Sequence, residues 1–247
     1  MATKIGSGGY FTRTTNLPPV GSMTMAGVFK MLAPGTFGQN IFSVQDVTTN
    51  ANVYFADGGG GQSVQMNLNG NGVNVVDIFT ATLNEWFFLA LVINGTAINC
   101  YYSPFLSNAI SLNSSTASSS TWFTPTRIYF ANRPDTFGGF NGIYGYVKLW
   151  SAALTQRELE LEKQCFAPVR TANLNAFYDF APETGRRGRD MSGLGNHLTE
   201  NATLVDVAPP PLPYVRQPFF AVEAPAASSY VPFNVLSNIS PNRLGGF

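Results

Sequence analysis

Charge is scarce in this chain. Aspartate, glutamate, lysine and arginine make up 11% of its 247 residues, against roughly 25% in an ordinary soluble domain. The 14 basic and 14 acidic residues cancel. Without a basic excess to follow a phosphate backbone, nucleic-acid binding is not expected. The one histidine, His197, would have to serve any Ser-His-Asp or Cys-His mechanism. No GxSxG nucleophile elbow accompanies it, since "GSGGY" near the start lacks the strand-turn-helix setting. Two cysteines, Cys100 and Cys165, fit neither a disulfide framework nor a zinc site; both are expected as buried thiols, with a bridge between them left open. No apolar run approaches the ~18 residues of a membrane helix, and the longest, "WFFLALVI", has strand length. The opening "MATKIGSGGYFTRTT" shows no apolar signal core. The sequons at Asn94, Asn113, Asn201 and Asn238 therefore carry little weight, and synthesis in a cytoplasm is expected.

What is present points to β structure. Apolar residues reach 45% and aromatics 13%, with 24 glycines and 16 prolines to make turns. In "SMTMAGVFKM", Met23, Met25, Phe29 and Met31 fall on one face, and Ser22, Thr24 and Lys30 on the other. Val64, Met66 and Leu68 alternate in the same way in "SVQMNLN". This period of two fits antiparallel strands with one buried face. "WFFLALVIN" and "AINCYYS" flank Gly95-Thr96 and read as a hairpin; the first, apolar throughout, predicts a strand covered on both faces. "DGGGG" at 57–61 could suggest a phosphate cradle. A phosphate loop needs a helix after it, whereas a strand pattern follows here, so a hairpin tip is expected. "RIYFAN", "GIYGYVKLW" and "NLNAFYDF" read as further strands.

The acidic triplet Glu158, Glu160 and Glu162 in "ALTQRELELE" would share one face of a strand, as the acid and nucleophile of a glycosidase can. Thr155 stands three residues before Glu158, the spacing of a capping box. Leu154, Leu159 and Leu161 with Arg157 and Lys163 suit a short amphipathic helix near 155–165. On a helix, residues two apart point about 200° apart, so the carboxylates cannot converge. They are expected to form a solvated flank. The basic cluster Arg186, Arg187 and Arg189 is balanced by Glu183 and Asp190, so local charge balance is expected rather than an anion site.

Residues 207–247 differ in kind from residues 1–206. They hold eight of the sixteen prolines and only three charges, Arg216, Glu223 and Arg243. Proline at this density forbids regular helix and central strand. Tyr214, Phe219, Phe220, Tyr230, Phe233 and Phe247 supply apolar anchors on a pre-stiffened chain that loses little entropy on docking. An extended arm is expected, lying on its own domain or on a neighbouring subunit.

Three segments carry a resemblance. "NEWFFLALVINGTAINCYYSP" (84–104), "IYFANRPDTFGGFNGIYGYVKLWSAALTQREL" (128–159), and "FYDF" followed by "RDMSGLGNHLT" resemble the concanavalin A-like lectin/glucanase superfamily, in its laminin-G-like and pentraxin-like branch. The resemblance implies an all-β, two-sheet antiparallel jelly roll over residues 1–206 with one short helix. The D-x-S-G-x-G-N segment, usual at the start of such domains, comes here after the helix, which implies a permuted closing of the sandwich beside "GGYFTRTT".

For function, the resemblance implies a lectin-like domain without the acidic strand of the glucanase branch, hence no catalysis. Calcium is possible but not indicated: Asp46, Asp57, Asp179 and Asp190 have no distinctive spacing. Asp190 with Asn196 is expected to brace its own loop, because Asp and Asn readily bond nearby amides. Trp122, Asn132, Arg133, Asp135, Phe137, Phe140 and Asn141 could form a sugar-stacking loop surface, although packing of these aromatics at the sandwich ends is the favoured alternative. Two functions remain open. One is a structural decoration, cement or surface protein of a viral particle, plausibly a bacteriophage, that docks to other shell subunits or to itself through the arm and reaches the virion from the host cytoplasm. The other is a carbohydrate-binding module, extracellular in location, with glycans as partners. Neither implies nucleic acid or membrane.

Overall fold

The computed structural model describes residues 2–5, 9–17, 21–33, 40–46, 51–57, 63–69, 74–107, 109–117, 125–131, 140–180, 187–201 and 204–207. The strands are β1 (Ala2–Ile5), β2 (Tyr10–Arg13), β3 (Ser22–Met31), β4 (Asn40–Asp46), β5 (Ala51–Asp57), β6 (Ser63–Asn69), β7 (Asn74–Thr80) and β8 (Trp86–Asn94). They continue with β9 (Ala97–Pro104), β10 (Ser111–Ala117), β11 (Arg127–Phe130), β12 (Gly142–Trp150), helix α1 (Gln156–Gln164), β13 (Leu174–Asp179), β14 (Thr199–Asn201) and β15 (Leu204–Val207).

They form two antiparallel sheets. The larger runs β10-β9-β8-β3-β12-β1-β15, with β13 also on β12, and the smaller runs β14-β2-β11-β4-β5-β6-β7. One edge of β12 is shared: β1 takes Gly142–Tyr144, and β13 takes Tyr146–Trp150. The predicted hairpin is present, with Asn94 opposite Ala97 across Gly95-Thr96 and Gly95 at φ +61°. Such a two-residue turn favours positive φ. β5 and β6 pair as a hairpin, while the glycine-rich tip itself lies outside the described residues.

The alternation of β3 decides the core. Met23, Met25, Phe29 and Met31 face the smaller sheet and pack with Phe11, Phe42, Phe130 and Tyr144, Phe29 lying 5.9 Å from Phe42 across the sandwich. Ala26 and Val28 point the other way into a second cluster with Phe88, Ala90, Val92, Tyr146, Trp150, Leu159 and Phe177. α1 and the segment after it cover this outer face. β8 is thus buried on both sides, as its unbroken apolar run predicts. Thr24, fully buried, ties the layers by donating to Ala152 O at 2.8 Å and accepting from Leu154 N at 2.9 Å.

The permuted closing is visible in the pairing. β14 adds to β2, Thr199 opposite Thr12, and β15 adds to β1, Val207 opposite Ala2.

Candidate functional site

The capping box of α1 forms as its spacing predicts: Glu158 N donates to Thr155 Oγ1 at 3.3 Å, and Thr155 N donates to Glu158 Oε2 at 2.8 Å. The Thr155 amide, with Arg170 alongside, holds the Glu158 carboxyl below its usual range. Glu160 pairs with exposed Arg157 at 3.0 Å.

Glu162 corrects the solvated-flank expectation. It is 1% exposed, and its Oε2 lies 2.7 Å from Lys148 Nζ, itself wholly buried on β12. Its Oε1 accepts from Val169 N at 2.9 Å and Arg170 N at 2.6 Å. Lys148 Nζ also donates to Cys165 O at 2.6 Å and Ala167 O at 3.2 Å. Burial lowers the Lys148 pKa, while Glu162 opposes that shift. Every polar atom of this pair is engaged in fastening α1 and its exit segment to the sheet, and the three carboxylates point to three different partners. They cannot act as a glycosidase acid and nucleophile.

A second buried lysine, Lys163, reaches the β9–β10 corner. It donates to Ser103 Oγ at 2.6 Å, Pro104 O at 3.0 Å and the Ser107 carbonyl. Burial brings its pKa down to about 8.

The D-x-S-G-x-G-N loop is a brace. Asp190 Oδ1 accepts from Phe177 N and Ser192 N, each at 2.9 Å. Its Oδ2 accepts from Ser192 Oγ at 2.8 Å and Asn196 N at 2.9 Å. Gly193 and Gly195 supply the positive φ, +86° and +74°, that turns the chain back onto its own carboxylate. Asn196 Nδ2 donates to Asn175 O at 2.6 Å. Tyr178 OH donates to Asn196 O at 2.8 Å and accepts from Arg13 Nη1 at 2.7 Å, which links the brace to β2. His197 Nδ1 accepts from Asp190 N at 3.0 Å. With both Asp190 oxygens filled by N–H and O–H donors, the carboxylate has no geometry left for calcium. Among the described residues, no three His, Cys, Asp or Glu side chains stand together as metal ligands.

Phe140 follows the packed alternative, and the buried-thiol expectation fails for one cysteine. Phe140 is fully buried, packed edge-on 5.7 Å from Tyr144, so its ring is core and cannot stack on a sugar. Cys100 is buried, and burial raises its pKa, but Cys165 is exposed and both thiols are free. Asn141 is half-buried beside Phe140. Trp122, Asn132, Arg133, Asp135 and Phe137 lie outside the described residues, as do the arm residues Tyr214, Phe219, Phe220, Tyr230, Phe233 and Phe247. Of the basic cluster, Arg187 stands 4.0 Å from Glu200. No described helix is long and apolar enough to cross a membrane.

Sequence reasoning missed one surface. On the outer face of the smaller sheet, Thr12, Tyr129 and Ser43 stand side by side in one register row. Tyr10 packs 6.0 Å from Tyr129, and Arg127 Nη1 donates to Tyr129 OH at 3.1 Å.

Two layered sheets, a double-sided β8 and a capped helix define a lectin-type jelly roll. The family model of the concanavalin A-like lectin/glucanases superfamily matches residues 5–160, and the chain belongs to that superfamily. No curated protein matches the sequence. Among solved structures, the chain is similar to a candidate carbohydrate-binding protein from Bacteroides ovatus, with TM-score 0.61 and 15% identity over 83% of this chain and 59% of that one. It is also similar to the heptameric SAP-like pentraxin of Limulus polyphemus, with TM-score 0.55 and 10% identity over 83% and 92%. A third likeness is to full-length tailspike protein 2 of an Escherichia coli O157:H7 bacteriophage, with TM-score 0.50 and 14% identity over 68% and 24%. At these identities the likenesses establish the fold.

Proposed function

We propose that this chain is a non-enzymatic surface or decoration protein of a viral particle, a bacteriophage particle by preference. In this reading a lectin-type jelly roll is displayed and residues 207–247 attach it. One combination carries the proposal: a jelly roll whose helix carboxylates are committed to holding the fold is followed by an almost uncharged segment bearing eight prolines and six aromatics. A segment of that composition buries area against a partner without a second globular interface. The likeness to a tailspike fold supports the setting. The test is removal of residues 208–247. The reading requires a folded jelly roll by circular dichroism and loss of self-association or particle attachment. A truncated chain that assembles like the full one would end it.

A second reading, a carbohydrate-binding module acting alone outside the cell, is favoured by the likeness to the Bacteroides ovatus protein. With Phe140 withdrawn into the core, its candidate contacts are Trp122, Asn132, Arg133, Asp135, Phe137 and Asn141. Glycan-array binding that disappears in Trp122→Ala without loss of fold would select it, and a blank array would remove it.

A further inference from the structure

Asn94 and Gly95 stand at the corner where β8 turns into β9. Asparagine followed by glycine is a pair that can modify itself, because glycine has no side chain to hinder attack by its own amide on the neighbouring carboxamide. Asn94, Gly95 and Thr96 are all exposed, so water and base reach the pair. Two features oppose the attack. Gly95 N donates to Gly21 O at 2.6 Å, so the nucleophilic nitrogen is held by a carbonyl at the start of β3. Asn94 is itself pinned as a strand residue between Ser22 of β3 and Ala97 of β9, whereas closing a five-membered ring takes its backbone out of the extended geometry. Gly21 presents that carbonyl from φ +91°, a conformation that favours glycine. A Cβ at Gly21 would meet nothing within 4 Å, so the backbone and not crowding calls for glycine there.

We infer that Asn94 is a latent deamidation site whose rate is set by opening of the Gly95–Gly21 hydrogen bond. When that bond opens, Gly95 N gives its proton to solvent base and attacks Asn94 Cγ. The new N–C bond forms as ammonia leaves, and the succinimide then adds one water and opens to aspartate or isoaspartate. No oxidant or cofactor enters. Isoaspartate carries the main chain through Cβ and so lengthens it by one atom, which breaks the register with Ser22 and Ala97. Either product adds a negative charge. Conversion to isoaspartate therefore removes the pairing that delayed it. Asn141-Gly142 supplies a contrast within the same chain, since Gly142 N donates to Phe140 O at 3.0 Å and does not depend on Gly21. The inference rests on neither functional reading above.

The test keeps the full chain in mildly alkaline buffer, native and in urea, and follows each asparagine by peptide mass spectrometry with isoaspartate detection. Because a paired corner opens only as a minor population, Asn94 should convert at least about tenfold more slowly in the native chain than in the unfolded one. Equal rates would overturn the inference. Gly21→Val strains the backbone that presents the carbonyl, and should raise the native rate at Asn94 at least about fivefold while leaving Asn141 unchanged. An unchanged rate at Asn94 would also overturn it. Amide exchange at Gly95 gives a reading that needs no variant. Its protection and the slowing at Asn94 should fall together as urea is raised below the unfolding transition. Protection lost without faster deamidation would equally overturn the inference.

Discussion

Lys148 on β12 and Glu162 on α1 form an ion pair 2.7 Å apart with both side chains shut off from solvent. This one contact decides how the acidic helix is to be understood. The carboxylate receives the ammonium on one oxygen and two backbone amides on the other, so its negative charge is spent in fastening a third layer to the sandwich.

Breaking that pair on one side leaves a bare charge in an apolar interior. Lys148→Met, or Glu162→Leu, should lower unfolding free energy by about 3–5 kcal/mol. Urea titration of each single variant and of the double checks this. The double should cost less than the sum of the singles, because each single already strands the partner.

The helix start makes a smaller demand. Thr155→Ala removes the hydroxyl that meets Glu158 N and should cost about 1 kcal/mol. The Glu158 carboxyl should titrate closer to its ordinary value in that variant, which carboxyl NMR would read.

Alkaline pH should stabilise the protein through its buried lysines. Lys163 has its pKa lowered from 10.5 to about 8, and Lys148 moves in the same direction. Below pH 8 both states hold the Lys163 proton, and the folded state carries the cost of a desolvated ammonium. Above pH 8 the folded state gives up a proton that the unfolded state keeps. Unfolding free energy therefore rises with pH over this window. The comparison belongs no higher than pH 9, where the thiol of Cys100, raised by burial above its ordinary 9.0, begins to act in the opposite sense, followed from about pH 10 by the buried phenols of Tyr144 and Tyr178. Urea midpoints at pH 7, 8 and 9 should climb in the native chain, and Lys163→Met should flatten the climb.

Gly27 on β3 stands opposite Val147 of β12. A Cβ there would lie 2.7 Å from Tyr146 O and 2.9 Å from Val147 Cγ2. Gly27→Ala should cost about 1–3 kcal/mol through forced backbone shifts, seen as a lower thermal midpoint with unchanged secondary structure.

Much of the sandwich was legible because its signals are local. Thr155 and Glu158 announce the helix start by spacing alone. Asn94-Gly95-Thr96-Ala97 announces the hairpin by turn chemistry, and the unbroken apolarity of 86–93 announces a strand with two covered faces. The buried ion pair was not legible. In "GIYGYVKLW" the alternation places Lys148 opposite the main core, where a charge reads as solvent-facing. Nothing in the spacing tells that a helix beginning eight residues later closes over that face. Phe140 was left between two readings for a similar reason: a phenylalanine in a glycine-rich loop has no periodicity to say which way it turns. The outer row Thr12–Tyr129–Ser43 is assembled from three strands far apart in sequence, so only the register brings it into view.

The pairing of β1 with β15 and of β2 with β14 also sets an order of events. β1 and β2 are made long before β14 and β15, and each keeps an edge unsatisfied until residues 199–207 have followed. Such distant partners slow folding and leave exposed edges open to wrong neighbours in the interval. A chaperone that shields β1 and β2 during synthesis should therefore raise the soluble yield more than one acting after release.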